Sequence, residues 1–229
     1  MKHTLSAFIV LMFLASINTA SAIDVLSVDG DWSNPVGGTN ILFQSVAVGF
    51  GNGTEDQIRW GTEYLGGGQS GLGFTGRAPL ADAADTGPFQ IGQLQHFNNP
   101  IVYGTHASAA DLTVDMLFAS PDGSHQFTLT MQINETLNSP GPQDDIIDFP
   151  LHLASTTFVT ETTRYRLDIL GFGLTEDAIQ TQFVSPEGTT NTTYLWAELT
   201  SQPIPAPGAI LLGSIGTAVV GLLRRRRVV

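Results

Sequence analysis

The chain has 229 residues, 42% of them hydrophobic and 13% charged, with 25 Gly, 12 Pro and no Cys, which bounds it to one turn-rich domain of ordinary size plus appendages. Without Cys, disulfides, thiolate metal centres and a cysteine nucleophile are excluded. Between Ile23 and Pro203, only Arg59, Arg77, Arg164 and Arg166 stand against all 21 acidic residues, so nucleic acid and anionic lipid surfaces, which are held by Lys and Arg, are poor partners for this anionic middle.

Residues 1–22 open with Lys2 and His3, continue as an apolar stretch and close on Ala20-Ser21-Ala22, with Ala20 and Ala22 as the small residues of a cleavage pattern. This reads as an export signal. The domain expected after it covers residues 23–202.

That domain begins with Asp29-Gly30-Asp31-Trp32-Ser33, the start of a D-x-D-x-S pattern, but Asn34 stands where an EF-hand needs Gly. Strands are predicted at 41–48 and 57–60, and Asn52-Gly53 between them is turn chemistry. Gly71-Leu72-Gly73-Phe74-Thr75-Gly76 spells G-x-G-x-x-G without the strand before and helix after that dinucleotide binding requires, and it is expected to be a Gly-rich turn. Ser70 lacks a nucleophile-elbow frame, because Leu72 occupies its last Gly position.

Further strands are predicted at 89–94, 101–104, 146–149, 156–159 and 193–199. The clearest period of two lies in 111–118, 125–133 and 164–171. In the second of these, Phe127, Leu129, Met131 and Ile133 alternate with Gln126, Thr128, Thr130 and Gln132. Short strands with one wet face, no helical stripe and a single core predict an all-β fold, an antiparallel β sandwich of jelly-roll type.

No catalytic set stands out in this domain. His96, His106, His125 and His152 are too far apart for H-x-H or H-x-x-x-H sites and read as isolated surface or turn residues. Calcium is the one cofactor the composition suggests, since it takes hard oxygen ligands. The candidates are Asp29 and Asp31, and Asp144, Asp145 and Asp148 of the run Asp144-Asp145-Ile146-Ile147-Asp148. Neither cluster is a full ligand set, and solvated acidic loops are the simpler reading. Trp32, Trp60 and Trp196 would make a sugar-stacking platform if exposed, although Trp60 and Trp196 lie in strand patterns that suit a core. A glycosidase pair of carboxylates cannot be picked from so many acids.

The order of short pieces along this domain resembles the choice-of-anchor K family. The pieces are Arg59-Trp60-Gly61, then Phe89-Gln90-Ile91-Gly92-Gln93-Leu94 with His96-Phe97-Asn98, then Pro100-Ile101 and Gly104-Thr105. Asn134-Glu135-Thr136, the acidic run ending at Asp148 with Pro150, and Tyr165-Arg166-Leu167 with Gly171-Phe172 complete it. The resemblance spans most of residues 40–200 and brings no biochemical activity with it.

The tail, residues 203–229, opens with Pro203-Ile204-Pro205-Ala206-Pro207, continues as the uncharged run 208–223 and ends in Arg224, Arg225, Arg226 and Arg227. At ~1.5 Å per residue the apolar run reaches about 24 Å, short of a ~30 Å hydrocarbon core, so it reads as a short transmembrane helix with a basic stop on the cytoplasmic side. Spacer, helix and basic cluster together resemble the PEP-CTERM sorting signal of Gram-negative bacteria, with Pro205, Ala206 and Pro207 as a box that lacks the central Glu. The resemblance implies recognition by the secretion machinery and the protease exosortase. It also implies transient residence in the inner membrane, then release to the cell surface or the exopolysaccharide matrix. A permanent single-span anchor is the alternative, with Ala209, Gly213, Thr217 and Gly221 as helix-packing spots.

The sequence therefore predicts an exported, non-enzymatic surface or matrix protein with a structural or adhesion role. A carbohydrate-binding module, calcium-assisted or not, and a polysaccharide hydrolase are its alternatives.

Overall fold

The computed structural model describes residues 23–77, 79–119, 123–136, 143–148, 155–160, 162–204, 213, 215–217, 219–221 and 223. Among the described residues, twelve strands run β1 (Val25–Gly37), β2 (Leu42–Ala47), β3 (Thr54–Trp60), β4 (Ser70–Gly76), β5 (Phe89–Asn98), β6 (Ala107–Phe118), β7 (Gly123–Asn134), β8 (Asp145–Asp148), β9 (Ser155–Val159), β10 (Thr163–Gly173), β11 (Gln182–Ser185) and β12 (Thr189–Pro203). They form a five-stranded sheet in the order β1-β6-β7-β8-β11 and a seven-stranded sheet in the order β2-β3-β4-β5-β12-β10-β9, and every strand pair is antiparallel. The fold is all-β, as the alternating pattern predicts.

Period-two alternation decides which side chains meet between the sheets. Leu112, Val114 and Met116 of β6 and Leu129 and Met131 of β7 point inward from one sheet; Leu72 and Phe74 of β4 and Leu167 and Ile169 of β10 do so from the other. All belong to one apolar cluster. A side chain on Gly30 of β1 would fall 2.2 Å from the Phe74 ring, so a bare backbone there lets the two sheets close on that ring.

Four stretches depart from expectation, among them β11, which no predicted strand covers. The G-x-G-x-x-G segment is not a turn: it is β4, buried along its whole length. Its Leu72 and Phe74 alternate with glycines, so the apolar face is present while the opposite face has no side chain to reveal it. β1 was hidden because a register shift between Val25 and Ser27 breaks its period, sending Val25, Val28, Gly30 and Trp32 inward and leaving Asp29 and Asp31 exposed. Conversely, the expected strand 101–104 makes only one bridge, Ile101 to Glu63, and Gly104 turns at φ 77°.

β12 carries the expected strand 193–199 onward through Pro203, the first residue of the predicted spacer. The described positions of the apolar run 208–223 are helical, and Ile215, Val219 and Leu223 among them are exposed. Among the described residues no helix is long and apolar enough to cross a membrane, so the expected transmembrane helix finds no support there. A sixteen-residue run is already shorter than the roughly 20 residues a full crossing takes. The export signal with Ala20 and Ala22, the box Pro205, Ala206 and Pro207, the cluster Arg224 to Arg227, and His152 lie outside the described residues.

Candidate functional site

Two arrangements carry chemistry, one on the outer face of the seven-stranded sheet and one between the sheets.

The outer face is built by register. Residues directly opposite across a ladder share a face, so Gln44, Gln57, Gly73, Gln95 and Thr192 form one row across β2, β3, β4, β5 and β12. Leu42, Arg59, Gly71, Phe97 and Thr190 form the next row. The two glycines make room in the middle of this face for the side chains of Glu55 and Arg59, which lie over them. A side chain on Gly71 would fall 2.3 Å from the Ile58 carbonyl oxygen, and one on Gly73 would fall 2.7 Å from the carboxyl carbon of Glu55.

Over these glycines the polar groups are tied to one another. Gln44 Nε2 donates to Gln57 Oε1 at 2.7 Å, and Arg59 Nε donates to the same oxygen at 3.0 Å. Gln57 in turn donates to Glu55, whose second oxygen has no partner although the residue is only 2% exposed. Burial raises the Glu55 pKa, opposed in part by the Gln57 hydrogen bond and the Arg59 charge. The Arg59 guanidinium lies 3.4 Å over the Phe97 ring, a cation–π contact that holds it flat along the sheet. Tyr194, opposite Gln93 on β12, is half-buried and packs at 5.9 Å against Phe50. Amides, a planar cation and aromatic edges on a sheet face are the donors, acceptors and apolar faces that sugar hydroxyls and pyranose rings require.

Between the sheets lies a second group. His96 on β5, Glu135 just beyond β7 and Asp145 at the start of β8 each offer one ligand atom, all within 4.8 Å of one another. Strand alternation explains the selection from the acidic run: Asp145 and Ile147 face inward, Asp144 is exposed, and Asp148 accepts from Gln182 Nε2 at 2.7 Å. The five aspartates named as calcium candidates are therefore not gathered into one place. Asp29 and Asp31 stand on the outer face of a strand rather than in a loop, where Asp29 accepts from Asn52 Nδ2 at 2.7 Å.

His96 is no surface histidine. It is 0% exposed and stacks beside Trp60, ring centroids 6.4 Å apart. Its Nδ1 meets Ser185 Oγ at 2.7 Å, and the same serine receives Asn191 Nδ2 at 2.7 Å on Oγ and Asn98 Nδ2 at 2.7 Å on its carbonyl. Asp145 Oδ1 accepts from Thr136 N at 2.8 Å and Thr136 Oγ1 at 3.1 Å. What these contacts leave over is consistent: His96 Nε2, Glu135 Oε2 and Asp145 Oδ2 are buried without a hydrogen-bond partner.

Burial pushes the His96 pKa down to about 3, with the Arg59 charge adding to the effect, and pushes Glu135 up to about 8, with Asp145 and Glu187 adding to it. Asp145 is raised as well by burial, while its Thr136 hydrogen bonds and the nearby His106 oppose the shift. The Trp60 indole N–H favours the charged form of Glu135 by proximity, yet makes no hydrogen bond of ordinary geometry. Sequence spacing could not find this group, because its members lie on three strands or their ends and meet only when the sheets close. The pieces Arg59-Trp60, His96-Phe97-Asn98 and Glu135-Thr136 were visible as a pattern, without a reason for their company.

The tryptophans do not form a platform: Trp32, Trp60 and Trp196 are 3%, 0% and 7% exposed. Trp32 Nε1 donates to the Asp56 carbonyl and Trp196 Nε1 to the Gly173 carbonyl, which satisfies their polar ends inside the core. Compared with known proteins, the chain matches no family model and no curated protein.

Proposed function

We propose that this chain is an exported bacterial surface or exopolysaccharide-matrix protein, processed by exosortase at its tail, that holds neutral polysaccharide on the outer face of its seven-stranded sheet and catalyses nothing. The observation that carries the binding part is the row of Gln44, Gln57, Gln95 and Thr192 running across the sheet through Gly73. A jelly-roll-like sandwich suits the role, because it presents a broad sheet face on a rigid core. Neutral glycans fit better than anionic ones, since four arginines against 21 acids between Ile23 and Pro203 repel a polyanion. The hydrolase reading has less in its favour: Asp145 is 0% exposed, so only one inward carboxylate, Glu135, reaches any solvent, and a pair is needed.

Binding is tested on an array of neutral and acidic glycans. The expected result is retention on neutral chains, weakened about tenfold or more by Gln95→Ala and by Tyr194→Ala, in keeping with the loss of one or two kcal/mol at a contact. Equal retention of wild type and both variants, or none at all, overturns the assignment. Export and processing are tested separately by mass spectrometry of the mature termini, where intact Arg224 to Arg227 on surface-recovered protein would refute cleavage.

A further inference from the structure

The group between the sheets lies away from the face that the proposed function uses, and it brings three side chains of metal-ligating type together. Three groups of metal-ligating type lie within 4.8 Å of one another, and each has a polar atom that the protein leaves unpartnered. His96 and Asp145 are 0% exposed. A buried polar atom without a partner costs about 1–3 kcal/mol, so three in one place call for an occupant. Neither carboxylate meets a Lys or Arg among the described residues, where the ion pair formed is Arg166 with Asp168.

We propose that His96, Glu135 and Asp145 bind one divalent first-row cation, Zn2+ in preference to Ca2+ or Mg2+, fastening β5 of one sheet to the β7–β8 end of the other. The imidazole decides the class: a nitrogen ligand suits Zn2+, whereas Ca2+ and Mg2+ take oxygen. Two carboxylates balance the charge of the ion. The neighbouring contacts are those that orient ligands. The 2.7 Å contact between His96 Nδ1 and Ser185 Oγ leaves Nε2 to face the ion once Nδ1 carries the proton. Thr136, holding Asp145 Oδ1 through both its N–H and its hydroxyl, leaves Oδ2 for the same purpose. Ligand bonds of about 2.0–2.2 Å set tetrahedral donors roughly 3.4 Å apart, so atoms lying within 4.8 Å of one another must draw together around the ion. Three protein ligands leave one corner of a tetrahedral shell to water.

The test uses the full chain, stripped with a chelator and titrated with Zn2+ by calorimetry and with Co2+ by visible absorption. One equivalent is expected, with the absorption bands of a tetrahedral cobalt ion and a higher thermal midpoint. Glu135→Gln, at a half-buried position, is expected to keep the circular dichroism of the wild type and weaken binding about 100-fold or more. His96→Gln and Asp145→Asn are expected to do the same, and Asp144→Asn, exposed and next in sequence, to leave binding unchanged. Failure of the folded, stripped chain to take up Zn2+ or Co2+ overturns the proposal, as does tighter binding of Ca2+ than of Zn2+, or uptake indifferent to all three ligand substitutions.

Discussion

Glu55 shows how a single carboxyl sets a local electrostatic cost on the outer face. It is nearly sealed from solvent over Gly73, with one oxygen accepting from Gln57 and the other bare. Its pKa is raised above 4.5 chiefly by burial, so the folded state holds the proton more tightly than the unfolded state. The penalty is fully present above the raised value and disappears as pH falls through it toward 4.5. Wild-type stability should therefore gain relative to Glu55→Gln as pH drops across that window, and urea melts of both proteins at several pH values measure it. A parallel pair of curves would show that the carboxyl does not titrate with folding.

Gly71 is the complementary case, because the obstacle to a side chain is backbone, which cannot swing aside. Gly71→Ala would set its Cβ 2.3 Å from the Ile58 oxygen, and a loss of roughly 1–3 kcal/mol is expected from the urea midpoint. The same residue shows why part of the binding face was illegible from sequence. Glycines in a strand advertise a turn, and their use as room for a neighbour's side chain appears only when Arg59 and Phe97 are found on either side of Gly71 in the ladder. His96 was misread for a related reason: a lone imidazole in sequence carries no sign of the serine 89 positions away that fixes it.

Among the elements, the strands with a long run of alternation were legible, and those that lose their period at the start or have a bare face were not. β6, β7 and β10 announce themselves through residues such as Leu112, Leu129 and Leu167, each buried between polar neighbours. β1 loses its period at the shift after Val25, and β11 is only four residues long, too short for alternation to register. The ladders also differ in how they are protected. β2 is exposed at every position and bonded on one side to β3, whereas β12 is flanked by both β5 and β10. Amide hydrogen exchange should follow that difference, fastest in β2 and slowest in the middle of β12 around Leu195 and Ala197. Comparable protection in the two strands would contradict the arrangement.

For the whole molecule, the charge imbalance between Ile23 and Pro203 is a self-repulsion that compact folding intensifies. Raising monovalent salt from about 0.01 M to 0.15 M shortens the screening length from ~30 Å to ~8 Å. With chelator present, so that bound cations play no part, the thermal midpoint should rise by roughly 2–4 °C, the shift that about 1 kcal/mol produces in a domain of this size. A falling midpoint would mean that attractive ion pairs outweigh the repulsion.

The path by which the chain leaves the sandwich sets how the domain answers a pull on its C-terminus. Ile204 N donates to the Thr162 carbonyl at 2.7 Å directly after β12, the strand lying between β5 and β10. A tug on the C-terminus along that strand enters the domain at its spine, and both flanking ladders must slide at once before anything yields. Unpicking bonds one by one from an edge takes far less force. Under a steady pull at that end, the fold should outlast one loaded at an edge strand.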